Sequence, residues 1–319
     1  MTAPAPTPLR RITARLAHPS VRALAWLIGS PPLLDARDPR FANHTVPDPW
    51  CTAALDAALP WLQALDRAPQ PLLDFLAARP TRRLGRLAES LLAFWFMHQS
   101  GAELLAQNLV VRGAQRTLGE FDFVFRAPGA ARATHWETAI KFYLYRPELG
   151  GLAGYVGPGE QDVLAAKVER VYSRQLALSG TAEGAAALDA LQVAAPAALA
   201  WIKGWLFYPF GQDALPAAGV NPAHARGWWL RAGPGWERVL STQRRYAILP
   251  RMDWLAWPWL APAAATLDRD ALGVAVAHAM HDSSGALMVV ELDAPEEGAA
   301  WQEYGRGFVV PDDWGRTAA

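Results

Sequence analysis

Two segments of this chain combine acids and an amine with the alternation of polar and apolar residues that is typical of β-strands. The first contains Glu120 and Asp122, and the second contains Glu137 and Lys141. Because successive side chains of a strand point to opposite faces, the members of each pair are expected to share a face. Two adjacent strands of this kind would direct carboxylates and a lysine towards one point. Proteins hold a divalent metal ion beside a scissile phosphate in this way.

Lys141 is unusual in this chain because nearly all of the basic residues are arginines. Of the 30 lysines and arginines, only Lys141, Lys167 and Lys203 are lysines. A lysine amine is a compact charge whose pKa shifts readily, whereas an arginine guanidinium is a planar fork that stays charged. A lysine within a strand pattern therefore favours a chemical role. The alternative is a surface strand on which Glu137 and Lys141 face water.

A third acid, Glu89, lies in the middle of a segment whose apolar residues recur with helical spacing. Residues 84–96 are apolar nearly all round this helix, which is typical of a buried helix. A buried carboxylate has to be ion-paired, protonated or bound to a metal ion. Arg86, three residues earlier, offers an ordinary pair along the helix as the alternative to a site.

Three basic residues, Lys167, Arg170 and Arg174, form a stripe on a helix predicted for residues 161–178. Such a stripe is most often a solvated helix face. The alternative interpretation is that it lines a groove for the phosphate backbone of a nucleic acid.

The acids of the two segments require neighbouring strands to bring them together. Alternation and a turn at Pro128-Gly129 predict an antiparallel hairpin. On the face opposite to the acids of the first segment, Phe121, Phe123 and Phe125 are expected together. The predicted strands of this region are residues 104–111, 117–126 and 134–145.

The rest of the chain is predicted to be helical at the N-terminus and mixed towards the C-terminus. Residues 1–70 carry helical patterns broken by prolines, and ten of the fifteen tryptophans lie at or after position 201. A buried helix is predicted for residues 198–205. Further strands are predicted for residues 227–231, 246–249, 287–292 and 307–310.

Composition indicates a globular protein with a large core. Hydrophobic residues make up 52% and charged residues 19% of the chain, and the formal net charge is +0. That balance argues against tight non-specific nucleic-acid binding, which normally needs a basic excess, but it allows a local basic groove. The single cysteine, Cys51, excludes an internal disulfide framework.

The sequence favours a cytoplasmic protein without membrane contact. Residues 1–8 are rich in Pro, Ala and Thr and lack the apolar core of a signal peptide. The longest apolar region, residues 193–210, is interrupted by Pro196, Lys203 and Pro209. It is therefore too broken for a transmembrane helix.

The order of these motifs resembles the core of the PD-(D/E)XK nuclease superfamily, and especially its small Holliday-junction-resolvase-like members. The helix with Glu89 comes first, and residues 101–108 then lead into residues 119–124. The strand with Glu137 follows. The resemblance covers about residues 84–145 and implies an α/β, restriction-endonuclease-like core.

Most of the chain also resembles an uncharacterised bacterial family, domain of unknown function 1853. This second resemblance names a family and implies no activity. The motifs that carry it are Gly119-Glu120-Phe121-Asp122-Phe123, His135-Trp136-Glu137, Lys141-Phe142-Tyr143-Leu144, Gly204-Trp205-Leu206-Phe207-Tyr208-Pro209 and Arg226-Gly227-Trp228-Trp229.

The nuclease resemblance implies a role for each candidate residue. Asp122 matches the metal-binding aspartate, Glu137 the second acid, and Glu89 the helix acid that completes the site. Lys141 matches the catalytic lysine, which orients the attacking water and steadies charge on the phosphate. The implied metal is Mg²⁺ or Mn²⁺. The implied substrate is DNA, as a structured or repair intermediate.

This chain departs from the superfamily motif in one spacing. The motif places its acid and its lysine two residues apart, whereas Glu137 and Lys141 are four residues apart. On a regular strand that separation is about 13 Å, and a β-bulge would shorten it. Three interpretations stay open: a Mg²⁺-dependent nuclease, a nuclease-derived binding module without catalysis, and a structural protein whose acids are salt-bridged.

These patterns divide the chain into three predicted parts. Residues 1–70 form a helical N-terminal extension, and residues 71–180 form the nuclease-like α/β core. Residues 181–319 form a Trp-rich α+β C-terminal region. Its role is open: it could cover the sheet, mediate dimerisation or clamp a strand of nucleic acid.

Overall fold

The computed structural model describes residues 7–99, 101–262, 265–282, 285–294 and 300–316. Over these residues the chain forms a mixed α/β fold in which helices cover a ten-stranded mixed sheet. The helices are α1 (Pro8–Thr13), α2 (Pro19–Gly29), α3 (Asp48–Arg67), α4 (Gln70–Ala77), α5 (Leu84–His98), α6 (Leu164–Arg170), α7 (Ala182–Asp189) and α8 (Arg269–Asp282). The strands are β1 (Glu103–Arg112), β2 (Thr117–Arg126), β3 (Thr134–Tyr145), β4 (Tyr155–Val156), β5 (Ala197–Pro209), β6 (Ala225–Arg231), β7 (Arg245–Leu249), β8 (Leu260–Ala261), β9 (Leu287–Asp293) and β10 (Trp301–Val310).

The strands follow the order β1-β2-β3-β5-β6-β10-β9-β7, with β4 paired to β3 and β8 paired to β10. β1, β2 and β3 pair antiparallel, and β3, β5, β6 and β10 pair in parallel. β10, β9 and β7 are again antiparallel. β3 and β5 pair from Thr134↔Ala197 to Leu144↔Phe207. The sheet therefore runs without a break from the predicted nuclease-like part into the Trp-rich part.

Helices cover both faces of the sheet around β2 and β3. On one face, called the α5 face below, Phe96 of α5 packs against Phe123 and Trp136. On the other, called the α6 face, residues of α6 share a core with Tyr143. Because side chains alternate along β3, Trp136 points to the α5 face and Glu137 to the α6 face.

β2 changes the face to which its side chains point, and the change occurs at Asp122. Phe123 lies in the core of the α5 face, whereas Phe121 lies with Val124 in a core on the opposite face. The expectation that Phe121 and Phe123 share a face is therefore wrong. The irregularity coincides with Asn108 of β1, whose φ is 52° and which is not paired with β2. A left-handed residue breaks the regular alternation of a strand pair, and the sequence pattern does not reveal it.

The apolar segment predicted as a buried helix, residues 198–205, is instead part of the central strand β5. The segment pairs in parallel with β3 along its length, and β6 pairs with the other side of β5 from Trp205 to Pro209. Trp201 is buried in the core of the α5 face and Ile202 in that of the α6 face. A strand buried on both faces has a continuous apolar sequence, which periodicity cannot separate from a buried helix.

Several other sequence predictions agree with the structure. The bounds of β2 and β3 are those predicted, and the two strands form the expected antiparallel hairpin. The helix predicted for residues 161–178 begins at Leu164 and continues as a π-helical turn, Val171–Gln175. None of the described helices has the length and apolar character needed to cross a bilayer. The signal-peptide expectation concerns residues 1–8, of which 1–6 lie outside the described residues.

Candidate active site

The ladder between β2 and β3 is short, and Asp122 lies where it stops. Cα pairing covers Phe123↔Trp136 to Phe125↔Thr134. At the next step along β2, Oδ2 of Asp122 accepts hydrogen bonds from the backbone N–H of Thr138 at 2.8 Å and from its hydroxyl at 2.9 Å. Asp122 therefore joins the two strands through its side chain. Burial raises the pKa of Asp122, and the two bonds from Thr138 act against that rise.

Glu137 is buried on the α6 face and lies on the strand next to Asp122. Its Oε1 accepts hydrogen bonds from the amide of Gln175 and from the amine of Lys167, the latter at 3.4 Å. Its Oε2 is buried and has no hydrogen-bond partner among the described residues. Burial, and then the charge of Asp122, raise the pKa of Glu137 to about 8. One buried carboxylate oxygen is thus free to accept a ligand.

Lys167 is the amine nearest to this acid, and the sequence interpretation had placed it in a surface stripe. Its side chain is only 12% exposed. It donates to Oε1 of Gln175 at 3.2 Å as well as to Glu137. Burial lowers the pKa of Lys167, and the charge of Glu137 acts in the opposite direction. Its rarity among the basic residues was the one sequence signal that set it apart from Arg170 and Arg174.

Glu89 approaches Asp122 from the α5 face and is engaged by Arg86. The guanidinium of Arg86 lies 2.6 Å from Oε2 of Glu89 and 3.4 Å from Oε1 of Glu120. It also donates to Oδ1 of Asn108 at 3.0 Å. Burial raises the pKa of Glu89, the hydrogen bond from Arg86 lowers it, and the charges of Asp122 and Glu120 raise it further. The pair along the helix that the sequence offered as an alternative is formed.

Lys141 does not contact Glu137. Its amine lies 2.5 Å from Oδ2 of Asp162, and the hydroxyl of Tyr143 donates to the other oxygen of that carboxylate at 3.2 Å. Glu137, four residues earlier on the same strand, is served by Lys167 instead. Because Glu137 and Lys141 are four residues apart on β3, each side chain pairs with a different residue: Glu137 with Lys167 and Lys141 with Asp162.

The four sequence-selected residues therefore divide among three local environments. Asp122 and Glu137 lie on adjacent strands, and the charge of Asp122 contributes to the raised pKa of Glu137. Glu89 is linked to Asp122 by electrostatic coupling from the other face. Lys141 belongs to a separate pair with Asp162.

Asp122 and Glu137 are the two candidate carboxylate ligands for a divalent cation at this site. The described residues contain no group of three or more His, Cys, Asp or Glu side chains that could hold a metal ion. Mg²⁺, however, is usually bound through one or two carboxylates together with substrate phosphate oxygens and water. Asp122 and Glu137 offer two carboxyl groups on adjacent strands, and Oε2 of Glu137 lacks a partner. Because burial raises the pKa of Glu137 to about 8, a cation bound there would displace the proton of this carboxyl.

Two clefts flank the N-terminal end of α5. A cleft of about 360 Å³ borders Glu89 on the side of β1. A larger one, of about 760 Å³, lies between the first turn of α5, β3 and the C-terminal part of the chain, and contains Lys141 and Asp162 in its wall. The smaller cleft is lined by Arg79, Pro80, Thr81, Arg86, Glu89, Ser90, Gln107 and Asn108.

The fold and this site define a mixed α/β protein with a buried pair of acids where two strands separate. The chain belongs to the family described as Domain of unknown function (DUF1853), whose model matches residues 22–310. The sequence resemblance to that family is thus confirmed. No curated protein and no solved structure matches the chain.

Proposed function

We propose that this protein is a Mg²⁺-dependent phosphodiesterase with a PD-(D/E)XK-type core that cleaves DNA. The observation that carries the proposal is the buried pair Asp122 and Glu137 beside a buried lysine, with one oxygen of Glu137 unpartnered. Buried polar or charged groups without full pairing are costly to stability. They persist where a ligand or a reaction uses them, and perturbed pKa values cluster at such sites.

The order of elements supports the nuclease core. Helix α5 with Glu89 precedes the antiparallel strands β1, β2 and β3, and Asp122 and Glu137 lie on β2 and β3. This is the order in which the superfamily motifs occur in the sequence resemblance. The support is topological and does not depend on the spacing of Glu137 and Lys141.

The proposed roles follow from the contacts. Asp122 and Glu137 would hold Mg²⁺, and Thr138 orients Asp122 through two hydrogen bonds. The bound ion would polarise the phosphoryl oxygen and generate hydroxide from water. Lys167 lies beside Glu137 and is suited to steady negative charge on the phosphate. This is the role that the resemblance implies for Lys141.

A second candidate function is a nuclease-derived module that binds nucleic acid or protein without catalysis. Two ion pairs favour it: Arg86 pairs with Glu89, and Asp162 pairs with Lys141, so neither Glu89 nor Lys141 is free for a ligand. In addition, the formal net charge of the chain is +0. An inactive site would retain the fold and the polar surfaces without binding a divalent ion.

Calorimetric titration with Mg²⁺ and Mn²⁺ distinguishes the two functions. We expect the wild type to bind the ion and Asp122→Asn to lose at least about tenfold in affinity, because removal of one ligand charge weakens a two-carboxylate site. Asp162→Asn is the matched control, since this acid pairs with Lys141 outside the proposed ligand set. It should bind like the wild type.

Cleavage assays on branched and single-stranded DNA with Mn²⁺ complete the test. Metal-dependent cleavage by the wild type and by Asp162→Asn, with none by Asp122→Asn, would support the phosphodiesterase. If the wild type binds no divalent ion even with DNA added, the catalytic proposal is wrong and the binding module stands.

A further inference from the structure

We infer that the segment that joins α4 to α5, together with the first turn of α5, docks the phosphate backbone of a nucleic acid. The segment, called the arginine loop below, runs from position 79 to 86 and carries Arg79, Arg82, Arg83 and Arg86. All four side chains are exposed. The inference rests on the proposed function, because it assigns the surface through which a substrate strand reaches the same acids.

The arginine loop is a local excess of positive charge on a chain whose formal net charge is +0. No acid occurs between Arg79 and Ala88. The guanidinium groups of Arg82 and Arg83 form no ion pair or hydrogen bond within the described part of the chain. Unpaired arginines on one surface bind phosphates and release their counterions, which makes the binding dependent on salt.

The position of Arg79 is fixed by its own helix. Its guanidinium lies 3.7 Å from the centre of the Phe75 ring and donates to the Phe75 carbonyl oxygen at 3.3 Å. An arginine held flat on an aromatic ring loses less freedom when it binds a phosphate. Arg79 therefore forms an ordered end of the arginine loop, while Arg82 and Arg83 lie nearer to α5.

The cleft of about 360 Å³ joins the arginine loop to Glu89. Arg79 and Arg86 line it together with hydroxyl and amide side chains: Thr81, Ser90, Gln107 and Asn108. These are the side-chain types that contact phosphates and sugars in protein–nucleic acid complexes. Glu89 lies at its wall, so a strand in the cleft would contact the acid that the nuclease resemblance places on α5.

The stripe on α6 that the sequence suggested is a poorer surface for the same ligand. Lys167 is withdrawn from it because its amine contacts the buried Glu137. The two remaining arginines, Arg170 and Arg174, are exposed but have the acid Glu169 beside them. They lie on the helix that covers the α6 face, opposite to α5.

Fluorescence anisotropy with labelled single-stranded DNA and its duplex tests the inference without catalysis. The titrations are made in EDTA between about 50 and 200 mM salt, the range over which phosphate contacts dominate the change in affinity. Arg82→Ala/Arg83→Ala is compared with Arg170→Ala/Arg174→Ala, which removes the same charge from the other face. Both pairs are exposed, and circular dichroism verifies that the variants are folded.

We expect the arginine-loop variant to bind at least about tenfold more weakly than the wild type, with the salt slope for duplex reduced by about 2. The α6 variant should remain within about twofold of the wild type. Equal losses in the two variants, a larger loss in the α6 variant, or no binding by the wild type would each overturn the inference.

The two proposals fail separately. Asp122→Asn should retain DNA binding in EDTA, because Asp122 is buried and distinct from the arginine loop. Loss of metal binding without loss of DNA binding would reject the phosphodiesterase and leave the docking surface. If Arg82→Ala/Arg83→Ala binds both the metal ion and DNA like the wild type, the docking surface is rejected and the phosphodiesterase remains.

Discussion

Glu137 shows how burial and a neighbouring charge act on a single carboxyl group. The residue is 1% exposed, and its pKa is raised to about 8 by burial and by Asp122. Without a bound cation it therefore holds a proton at neutral pH. In the unfolded chain the same carboxyl loses its proton near its usual value of 4.5.

The first prediction is that Glu137 makes stability fall as pH rises. Between pH 4.5 and about 8 the folded protein binds this proton and the unfolded chain does not. Stability is therefore fully present below 4.5 and is lost as the pH approaches 8, with a slope of up to about 1.4 kcal/mol per pH unit. Glu137→Gln should remove this slope. Urea unfolding across this range, in EDTA, measures it.

Two buried histidines also make the stability depend on pH, so the effect of Glu137 is measured as the difference between the curves of the wild type and Glu137→Gln. Burial lowers the pKa of His135 and of His224 to about 4 from the usual 6.5, so both favour the folded state more as pH rises through that interval. They are present in the wild type and in Glu137→Gln, so the difference between the two curves removes their contribution and leaves that of Glu137 with its effect on Lys167. The exposed Glu169→Gln serves as the control. Parallel curves for Glu137→Gln and the wild type would show that Glu137 ionises normally.

The second prediction concerns which lysine serves the reaction. Lys167→Met should lower kcat/KM for DNA cleavage by about 100-fold, in the range found for loss of one stabilising group in a water-excluded site. Lys141→Met should change it by no more than about threefold, because the amine of Lys141 is occupied by Asp162. Initial rates with Mn²⁺ measure both, and Mn²⁺ affinity checks that the acids remain in place. A larger loss of kcat/KM in Lys141→Met than in Lys167→Met would assign the stabilisation of phosphate charge to Lys141.

At the residue scale, the sequence selects the candidate acids and the Arg86 partner of Glu89, but it does not reveal the partner of Glu137. Asp122 and Glu137 stand out because polar residues interrupt apolar strand patterns. The contact of Lys167 with Glu137 depends on how α6 packs on β3, and spacing along either segment does not contain that information. Helical spacing did offer Arg86 as the partner of Glu89, and that pair is formed along α5.

At the element scale, β5 decides where the candidate site sits in the sheet. It pairs with β3 along the segment that carries Glu137 and Lys141, so β3 has neighbours on both sides. β2 and β3 were predicted with their observed bounds because their alternating patterns are clear. β5 was mistaken for a helix because parallel central strands lack that alternation.

The third prediction is that Gly204 is required for the pairing of β5 with β3. Gly204 has φ of 149° and lies opposite Lys141 in the ladder. A Cβ at this position would collide with the carbonyl oxygen of Lys141. Gly204→Ala should therefore destabilise the protein by about 3 kcal/mol, from backbone strain and displacement of the neighbouring strand. Chemical denaturation measures the loss.

Gly85→Ala is the matched control for this substitution. An added Cβ at Gly85 meets nothing within 4 Å, and the residue lies in the first turn of α5. Alanine is the better helix former, so a gain of about 0.5 kcal/mol is expected. A similar effect of the two substitutions would mean that the close approach of β5 to Lys141 is not a constraint on folding.

At the scale of the whole molecule, the continuous sheet joins parts that composition separates. The change to a Trp-rich sequence suggested a boundary near position 181, and the pairing of β3 with β5 crosses it. The core of the α5 face also spans it, because Trp26 of α2, Trp136 of β3 and Trp201 of β5 share one cluster. Composition shows where residue types change along the chain, whereas cooperative unfolding depends on which residues share a core.

The fourth prediction is that the protein unfolds in one transition and that residues 71–180 do not fold alone. Such a fragment would lack β5, so the edge of β3 and the apolar side chains around Trp136 would be left in water. Tryptophan fluorescence reports mainly on the part from position 201 onwards, which holds ten of the fifteen tryptophans, while far-ultraviolet circular dichroism reports on the whole chain. Coincident transitions of the two signals are expected in the full chain. Two separated transitions, or a fragment with dispersed amide resonances, would mean that the acid site belongs to an autonomous domain and that the C-terminal strands are an addition to it.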